Sequence, residues 1–206
     1  INPNIGISNT DAYYRPESLN KISTLISTFD TGISNITTKK LTVDEMAQVV
    51  GKDFISKIIE DIKTQMLIPN NQHIQATCRM DNGFFNIRVN GAEEPEITTL
   101  VLKHGNSIFD FNFAEESDGT KRLFDLIDMI ISKRDDIVYV VDELERSLHP
   151  KLTEHFLKSF MQSHANDKTQ LICTTHETFI MDQDLLRRDE IWFTSKDPDT
   201  NNASAV

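Results

Sequence analysis

An apolar run that ends in two adjacent carboxylates restricts the fold of this chain most. Residues 137–141, Ile-Val-Tyr-Val-Val, are followed at once by Asp142 and Glu143. A short, continuously apolar run is typical of a fully buried strand in a parallel sheet. Ligands of open parallel sheets bind beyond the carboxyl ends of the strands, so the two acids stand at a position suited to chemistry.

Helix-like and strand-like segments alternate on both sides of this run. The pattern predicts a parallel α/β sheet, in the order helix 118–133, strand 137–142, helix 150–164, strand 170–175, helix 179–187 and strand 190–195. A second polar cluster, residues 174–177, lies at the carboxyl end of the strand at 170–175. Because carboxyl ends of parallel strands share one sheet edge, we expect this cluster to meet Asp142 and Glu143.

The amino-terminal part has two helical patterns. Helices are predicted over residues 17–30 and over about 43–66. Thr42 and Glu45 have the spacing of a capping box at the start of the second helix, and Gly51 is its weak point. An apolar residue recurs at every fourth position of that helix, which predicts a packing seam: Met46, Val50, Phe54, Ile58, Ile62 and Met66.

Residues 72–113 have the patterns of antiparallel strands. The segments HIQATCRM and FFNIRVN flank Asp81-Asn82-Gly83, which is a hairpin turn signal. The segments ITTLVLKH and IFDFNF flank His104-Gly105-Asn106 in the same way. The chain therefore combines an antiparallel region with a parallel α/β region.

The composition excludes several classes of protein. The 206 residues carry a net charge of −11, which argues against a broad nucleic-acid-binding surface on this chain. No apolar run reaches the length of a membrane helix, and the polar amino end is unlike a signal peptide. Cys78 and Cys173 lie far apart, which favours reduced thiols and a cytoplasmic protein.

The acids are concentrated in one part of the chain. Residues 114–145 contain ten acidic and four basic residues, a net charge of −6. A solvated face is the favoured interpretation, and a requirement for a divalent cation is the alternative.

Asp142 and Glu143 have the arrangement that magnesium-dependent nucleotide hydrolysis requires. Mg²⁺ takes few protein carboxylates and keeps several waters, so the first acid can orient the metal shell. The second acid can orient or deprotonate the attacking water. A surface Asp-Glu pair at a strand end is the alternative interpretation.

Three further features support the functional interpretation, and each has a structural alternative. Ser117, Asp118 and Gly119 precede a helix, whose amino end can hold phosphate, although a plain helix cap needs the same residues. His176 follows a buried strand and can reach a terminal phosphate, or it is an ordinary core or surface residue. Residues 147–150 follow the acids, and Pro150 is also a common helix start.

The order and spacing of these features resemble the second half of an ABC-type ATPase head, over roughly residues 97–195. The amino-acid sequences of these motifs are similar to those of bacterial AAA-type ATPases of the OLD-like and abortive-infection group, which are related to SMC-like ATPases. Asp118 departs from the transporter pattern, which has glycine there. The matching elements are the signature (Ser117, Asp118, Gly119, Thr120 and Lys121), Walker B (137–142), the catalytic glutamate (Glu143), the D-loop (Ser147, Leu148, His149 and Pro150) and the switch histidine (His176).

The resemblance implies an α/β P-loop NTPase fold that binds ATP and Mg²⁺ as a dimer of heads. Asp142 would belong to the Mg²⁺ shell, Glu143 and His176 would be catalytic, and the signature residues 117–121 would contact nucleotide on the partner head. Several members of the group act in anti-phage defence beside a nuclease or toxin effector, which the resemblance therefore implies as a partner.

The sequence contains no Gly-x-x-x-x-Gly-Lys-Ser/Thr phosphate loop. We therefore expect the carboxyl-terminal part of a larger or split ATPase, inactive by itself, that works with a phosphate-loop half. Residues 1–70 would be a helical insertion, and residues 71–206 the carboxyl-terminal half of the head.

Two other functions stay open. A non-catalytic half-head would bind a partner protein through the apolar stripe of residues 43–66, which would then be exposed. A metal-dependent phosphohydrolase or nuclease would use the acids together with His149, His155 or His176.

Overall fold

The computed structural model describes residues 16–67, 73–80, 83–91, 94–131, 136–196 and 203–205. These described residues form a mixed α/β structure with five α-helices, and the chain divides into two compact units, Ile1–Lys133 and Arg134–Val206. The expected division after residue 70 follows sequence motifs and stays a prediction. No helix within the described residues is long and apolar enough to cross a membrane.

The first unit is built on an antiparallel sheet with the strand order β1-β4-β3-β2, and β5 also pairs with β4. Its elements are α1 (Pro16–Ser27), β1 (Ile33–Leu41), α2 (Val43–Val50), α3 (Lys52–Met66), β2 (His73–Met80), β3 (Gly83–Asn90), β4 (Glu96–His104), β5 (Phe111–Asn112) and α4 (Asp118–Ile131). The predicted antiparallel pairings of β2 with β3 and of β4 with β5 are confirmed. Residues 81 and 82 of the first predicted turn lie outside the described residues.

The predicted capping box is confirmed, whereas the single helix over 43–66 is wrong. The backbone N–H of Thr42 donates to Oε2 of Glu45 at 2.7 Å, and the N–H of Glu45 donates to Oγ1 of Thr42 at 3.1 Å. The helix divides into α2 and α3 at Gly51, whose φ of +90° is left-handed and ends α2.

The apolar stripe of α2 and α3 belongs to the core of the first unit. Met46 and Ile62 are buried in one cluster with Phe85 and Ile87 of β3. Phe54 is the part of the stripe that remains exposed, at 39%. The predicted packing seam is therefore confirmed for the buried members, while the side chain of Met66 lies outside the described residues.

Helix α4 lies against aromatic side chains of the same unit. The rings of Phe84, Phe113 and Phe124 contact one another with centroids 4.9 to 5.7 Å apart. Nε of Arg79 on β2 lies 2.7 Å from Oδ1 of Asp125 on α4. These contacts join α4, which begins within the predicted signature, to the antiparallel sheet.

The second unit contains the predicted parallel strands. Its elements are β6 (Val138–Val141), α5 (Pro150–Ser163), β7 (Gln170–Cys173), β8 (Thr194–Lys196) and β9 (Ala203–Ala205). Strands β6 and β7 pair in parallel, with Val138 opposite Gln170 and Val141 opposite Cys173. The predicted helix over 150–164 is confirmed as α5, which begins at Pro150.

Two expectations about the end of the second unit are wrong. The region predicted as helix 179–187 forms a short 3-10 helix over Thr178–Ile180 and then turns. The carboxylate of Asp182 accepts the N–H of Asp184 at 3.0 Å, a local bond that competes with helix formation. The last predicted strand is shortened to β8, which pairs antiparallel with β9 instead of extending the parallel sheet.

Only one face of the β6–β7 pair is covered, so the expectation of fully buried strands is also wrong. Tyr139 packs edge-on against Phe160 of α5. On the opposite face, Val138, Val140 and Ile172 are 54%, 62% and 57% exposed. Among the described residues of the second unit, α5 covers one face of a sheet whose sequence is apolar on both sides.

Candidate functional site

The two polar clusters meet at the carboxyl ends of β6 and β7, as the strand pattern predicts. The N–H of Thr174 donates to the carbonyl of Val141 at 3.0 Å, and the N–H of Leu144 donates to the carbonyl of Thr174 at 3.0 Å. Backbone pairing therefore continues past the ends of both strands. It holds Asp142 and Glu143 beside the segment 174–176.

The hydroxyl group of Thr174 joins both acidic residues. It donates to Oδ1 of Asp142 at 2.5 Å and accepts the backbone N–H of Glu143 at 2.9 Å. One side chain, directly after β7, thus orients the carboxylate of Asp142 and the backbone of Glu143. The spacing in the sequence did not indicate this role for Thr174.

The chain turns sharply as soon as it leaves β6. Glu143 has a φ of +47° and Ser147 a φ of +63°, both in the left-handed region that non-glycine residues rarely adopt. The N–H of Arg146 donates to the carbonyl of Glu143 at 2.9 Å, which closes a tight turn. Strained backbone of this kind concentrates at functional sites, where the surrounding structure enforces it.

Glu145 connects this turn to the segment after β7. Its Oε1 accepts the backbone N–H of His176 at 2.8 Å, across 31 residues of sequence. Burial acts to raise the pKa of the Glu145 carboxyl, but hydrogen bonds from backbone N–H groups, including that of His176, outweigh it and lower the pKa. The charged form is therefore favoured. Sequence reasoning did not single out Glu145, because this bond has no local signal.

The side chains with expected chemical roles lie at the surface. Asp142, Glu143 and His176 are all exposed. His149 is the N-cap of α5, and its Nδ1 accepts the N–H of Lys151 at 3.3 Å. His149 and Pro150 therefore have a clear structural role in starting α5, while the D-loop role of residues 147–150 stays a prediction.

The residues of the predicted signature begin α4 in the first unit. The N–H of Thr120 donates to Oγ of Ser117 at 3.1 Å, which is the arrangement of a helix cap. Nζ of Lys121 donates to the carbonyl of Ala114 at 2.9 Å. Asp118 is the first residue of the helix, and Gly119 follows it. The helix-cap interpretation is therefore realised, and the contact with nucleotide stays a prediction.

The donor set at the strand ends fits Mg²⁺ that is bound together with nucleotide. No group of three or more His, Cys, Asp or Glu side chains in the described part of the chain is arranged to hold a metal ion. Mg²⁺ is commonly held by one or two carboxylates plus substrate phosphates instead of a complete protein cage. Asp142, oriented by Thr174, can supply such a carboxylate.

Comparison with known proteins identifies one family. The family model described as "AAA domain, putative AbiEii toxin, Type IV TA system" matches residues 10–182, which is most of the chain. No curated protein and no solved structure matches the chain.

Proposed function

Because the chain belongs to this family of AAA domains, whose members are nucleotide-binding ATPases, we propose that it is the carboxyl-terminal part of an ABC-type ATPase head. The observation that carries the proposal is the Thr174 hydroxyl, which joins Asp142 and Glu143 at the carboxyl edge of the parallel strands. The head would bind ATP and Mg²⁺ and would act as a switch in anti-phage defence.

Asp142 and Glu143 take different roles in this proposal. The carboxylate of Asp142, held by Thr174, binds the hydrated Mg²⁺ of the nucleotide complex. The bound ion neutralises phosphate charge. Glu143 lies one residue further, on backbone that turns away from the strand, and its exposed carboxylate orients the attacking water.

His176 is proposed to contact the γ-phosphate. Its backbone N–H is bound to Glu145, so the imidazole does not hold the segment in place and stays available to a ligand. Because a hydrogen bond to a phosphate oxygen strengthens as negative charge develops there, the imidazole is suited to sensing hydrolysis.

The remaining partners belong to the same proposal. Ser117, Asp118, Gly119, Thr120 and Lys121 contact nucleotide held by a second head, and the D-loop residues 147–150 face that head. A phosphate-loop half of the same ATPase supplies the other side of the nucleotide site. The OLD-like resemblance suggests a nuclease or toxin as the effector.

The alternative of a non-catalytic interaction module gains no support from α2 and α3. That function requires an exposed apolar stripe, whereas Met46 and Ile62 of the stripe are buried in the core of the first unit and Phe54 is 39% exposed. In the phosphohydrolase or nuclease alternative, which uses the acids with His149, His155 or His176, Nδ1 of His149 is already engaged in capping α5.

Nucleotide turnover tests the proposal. We expect the 206-residue chain with Mg²⁺ to be inactive, and to hydrolyse ATP once a phosphate-loop half is supplied. Glu143→Gln should then abolish turnover and trap the ATP-bound dimer, measured by size-exclusion chromatography with light scattering. Glu154→Gln on α5 is the matched control and should stay active. Equal turnover in wild type and Glu143→Gln would refute the assignment.

A further inference from the structure

Glu145 lies between the two motifs that the proposed mechanism uses and belongs to neither. It follows Glu143 by two residues and precedes the D-loop-like residue Ser147 by two. Its side chain reaches across to the N–H of His176, at 2.8 Å. This contact joins the turn after β6 to the segment after β7.

The segment that carries Glu145 is fixed in place. Leu144 and Leu148 on either side are 0% and 8% exposed, so the burial of both side chains anchors the turn. The N–H of Leu148 also donates to the carbonyl of Glu145 at 2.8 Å. A carboxylate on such an anchored turn can define the position of the backbone to which it binds.

Residues 174–176, the segment to which Glu145 binds, are held at two points. The N–H of Leu144 binds the carbonyl of Thr174, and the carboxylate of Glu145 binds the N–H of His176. A hydrogen bond to a charged acceptor is stronger than one between neutral groups. Residues 174–176 are therefore attached to the turn at both ends, through a backbone hydrogen bond at Thr174 and through the Glu145 carboxylate at His176.

We propose that Glu145 is a positioning residue that links the D-loop-like turn to His176. It fixes the point at which the imidazole leaves the backbone, beside Asp142 and Glu143, without touching nucleotide. Because the same residue lies in the turn leading to Ser147, a displacement of that turn by a partner head would move His176. This consequence rests on the proposed function, whereas the contact itself does not.

Nuclear magnetic resonance of the 206-residue chain tests the contact without any turnover. In Glu145→Ala, we expect the His176 amide to exchange with solvent about tenfold faster, since a hydrogen bond to a charged group is lost. Glu145→Gln keeps an acceptor oxygen and should restore most of the protection. Glu177→Ala, a change of the same kind next to His176, should leave the exchange rate unchanged.

The exchange rate of the His176 amide can also overturn the inference. A His176 amide that exchanges equally fast in wild type and Glu145→Ala would show that Glu145 does not position it. Thermal unfolding of each variant, followed by circular dichroism, establishes that the compared proteins are folded.

Turnover by the head supplied with its phosphate-loop half separates this inference from the proposed function. Glu145→Ala should lower kcat about tenfold with little change in KM for ATP, and Glu145→Gln should recover much of the loss. Normal turnover in Glu145→Ala beside an inactive Glu143→Gln would overturn the positioning role alone. Normal turnover in both variants would refute the proposed function, and the exchange of the His176 amide would still decide the contact.

Discussion

Oε1 of Glu116 lies 2.6 Å from Nε2 of His104, at the point where the chain enters α4. The Glu116 side chain is only 5% exposed, so the carboxylate is held inside the first unit. Gly32 packs against the other ring nitrogen of His104, since a Cβ there would come within 3.3 Å of Nδ1. Glu116 is thereby anchored to β4, and it fixes the point at which the predicted signature begins.

Arg79 anchors the same helix from β2. Its Nε lies 2.7 Å from Oδ1 of Asp125, a close charge pair but not an aligned hydrogen bond. Its guanidinium also lies 5.4 Å from the ring centroids of Phe84 and Phe113. We expect Arg79→Met to lower the free energy of unfolding by about 2 kcal/mol, because a partly buried charge loses its partner. Urea denaturation measures this loss.

Arg88→Met is the matched control for Arg79. Arg88 lies on β3 and pairs with Glu96 at 3.7 Å, with both side chains well exposed. Such surface pairs contribute roughly 0 to 1 kcal/mol, so this variant should be nearly as stable as wild type. Equal losses in the two variants would show that the position of Arg79 against α4 has no special importance.

The thiol of Cys78 is expected to be unreactive in the folded protein. Burial raises the pKa of Cys78 to about 11, and only the thiolate attacks alkylating reagents. At pH 8, iodoacetamide should modify Cys78 far more slowly in buffer than in denaturing urea, as measured by peptide mass spectrometry. Equal rates in the two conditions would contradict protection of the half-buried thiol by the fold.

The Cys78 thiol also makes the free energy of unfolding depend on pH in the alkaline range. Because the folded pKa lies above the ordinary value of 9.0, the folded state binds this proton more tightly than the unfolded state. The contribution is complete below pH 9 and is lost as the pH rises through about 11. Cys78→Ala should therefore lose less stability than wild type over this interval, in urea denaturation at each pH.

The sequence predicts the α/β core of the second unit well because its signals are local. The apolar runs of β6 and β7 and the proline at the start of α5 act over a few residues. Parallel pairing then follows from the alternation of elements. That pairing brings Asp142 beside Thr174, which is the relationship on which the candidate site depends.

Features that depend on distant partners could not be predicted in this way. Strand β1 has the polar sequence Ser-Asn-Ile-Thr-Thr-Lys-Lys at its centre and exists because it pairs with β4, about 60 residues later. The bond from His176 to Glu145 likewise spans 31 residues. An apolar strand also cannot reveal what covers each face, so the exposure of Val138 and Val140 was unexpected.

Protonation of Glu145 should lower the stability of the folded protein at acidic pH. Its pKa is lowered in the folded state, so the unfolded carboxyl binds the proton more tightly. The contribution to stability is complete above the ordinary pKa of 4.5 and is lost as the pH falls through the lower folded pKa. Glu145→Gln should show a shallower acid dependence than wild type in thermal unfolding. Parallel profiles for Glu145→Gln and wild type would contradict the shift.

Thr174→Val tests whether the hydroxyl group that joins the two acids matters for chemistry. Valine has nearly the same shape as threonine but can neither donate to Asp142 nor accept from Glu143. Because the site is exposed, water can replace the two lost hydrogen bonds. The free energy of unfolding should therefore change by about 1 kcal/mol or less. Water does not, however, hold the Asp142 carboxylate in the orientation that the Thr174 hydroxyl gives it. Loss of a bond to a charged group predicts turnover about ten- to a hundredfold lower in the head supplied with its phosphate-loop half.

Thr174→Ser keeps the hydroxyl group and is the control for this experiment. Serine should retain most of the turnover, because its oxygen can make the same two hydrogen bonds. If valine and serine variants hydrolysed ATP as fast as wild type, the bridge between Asp142 and Glu143 would be a structural detail without a part in catalysis. If both lost turnover equally, the site would require both the hydroxyl and the methyl group of Thr174, and the two hydrogen bonds alone would not explain its role.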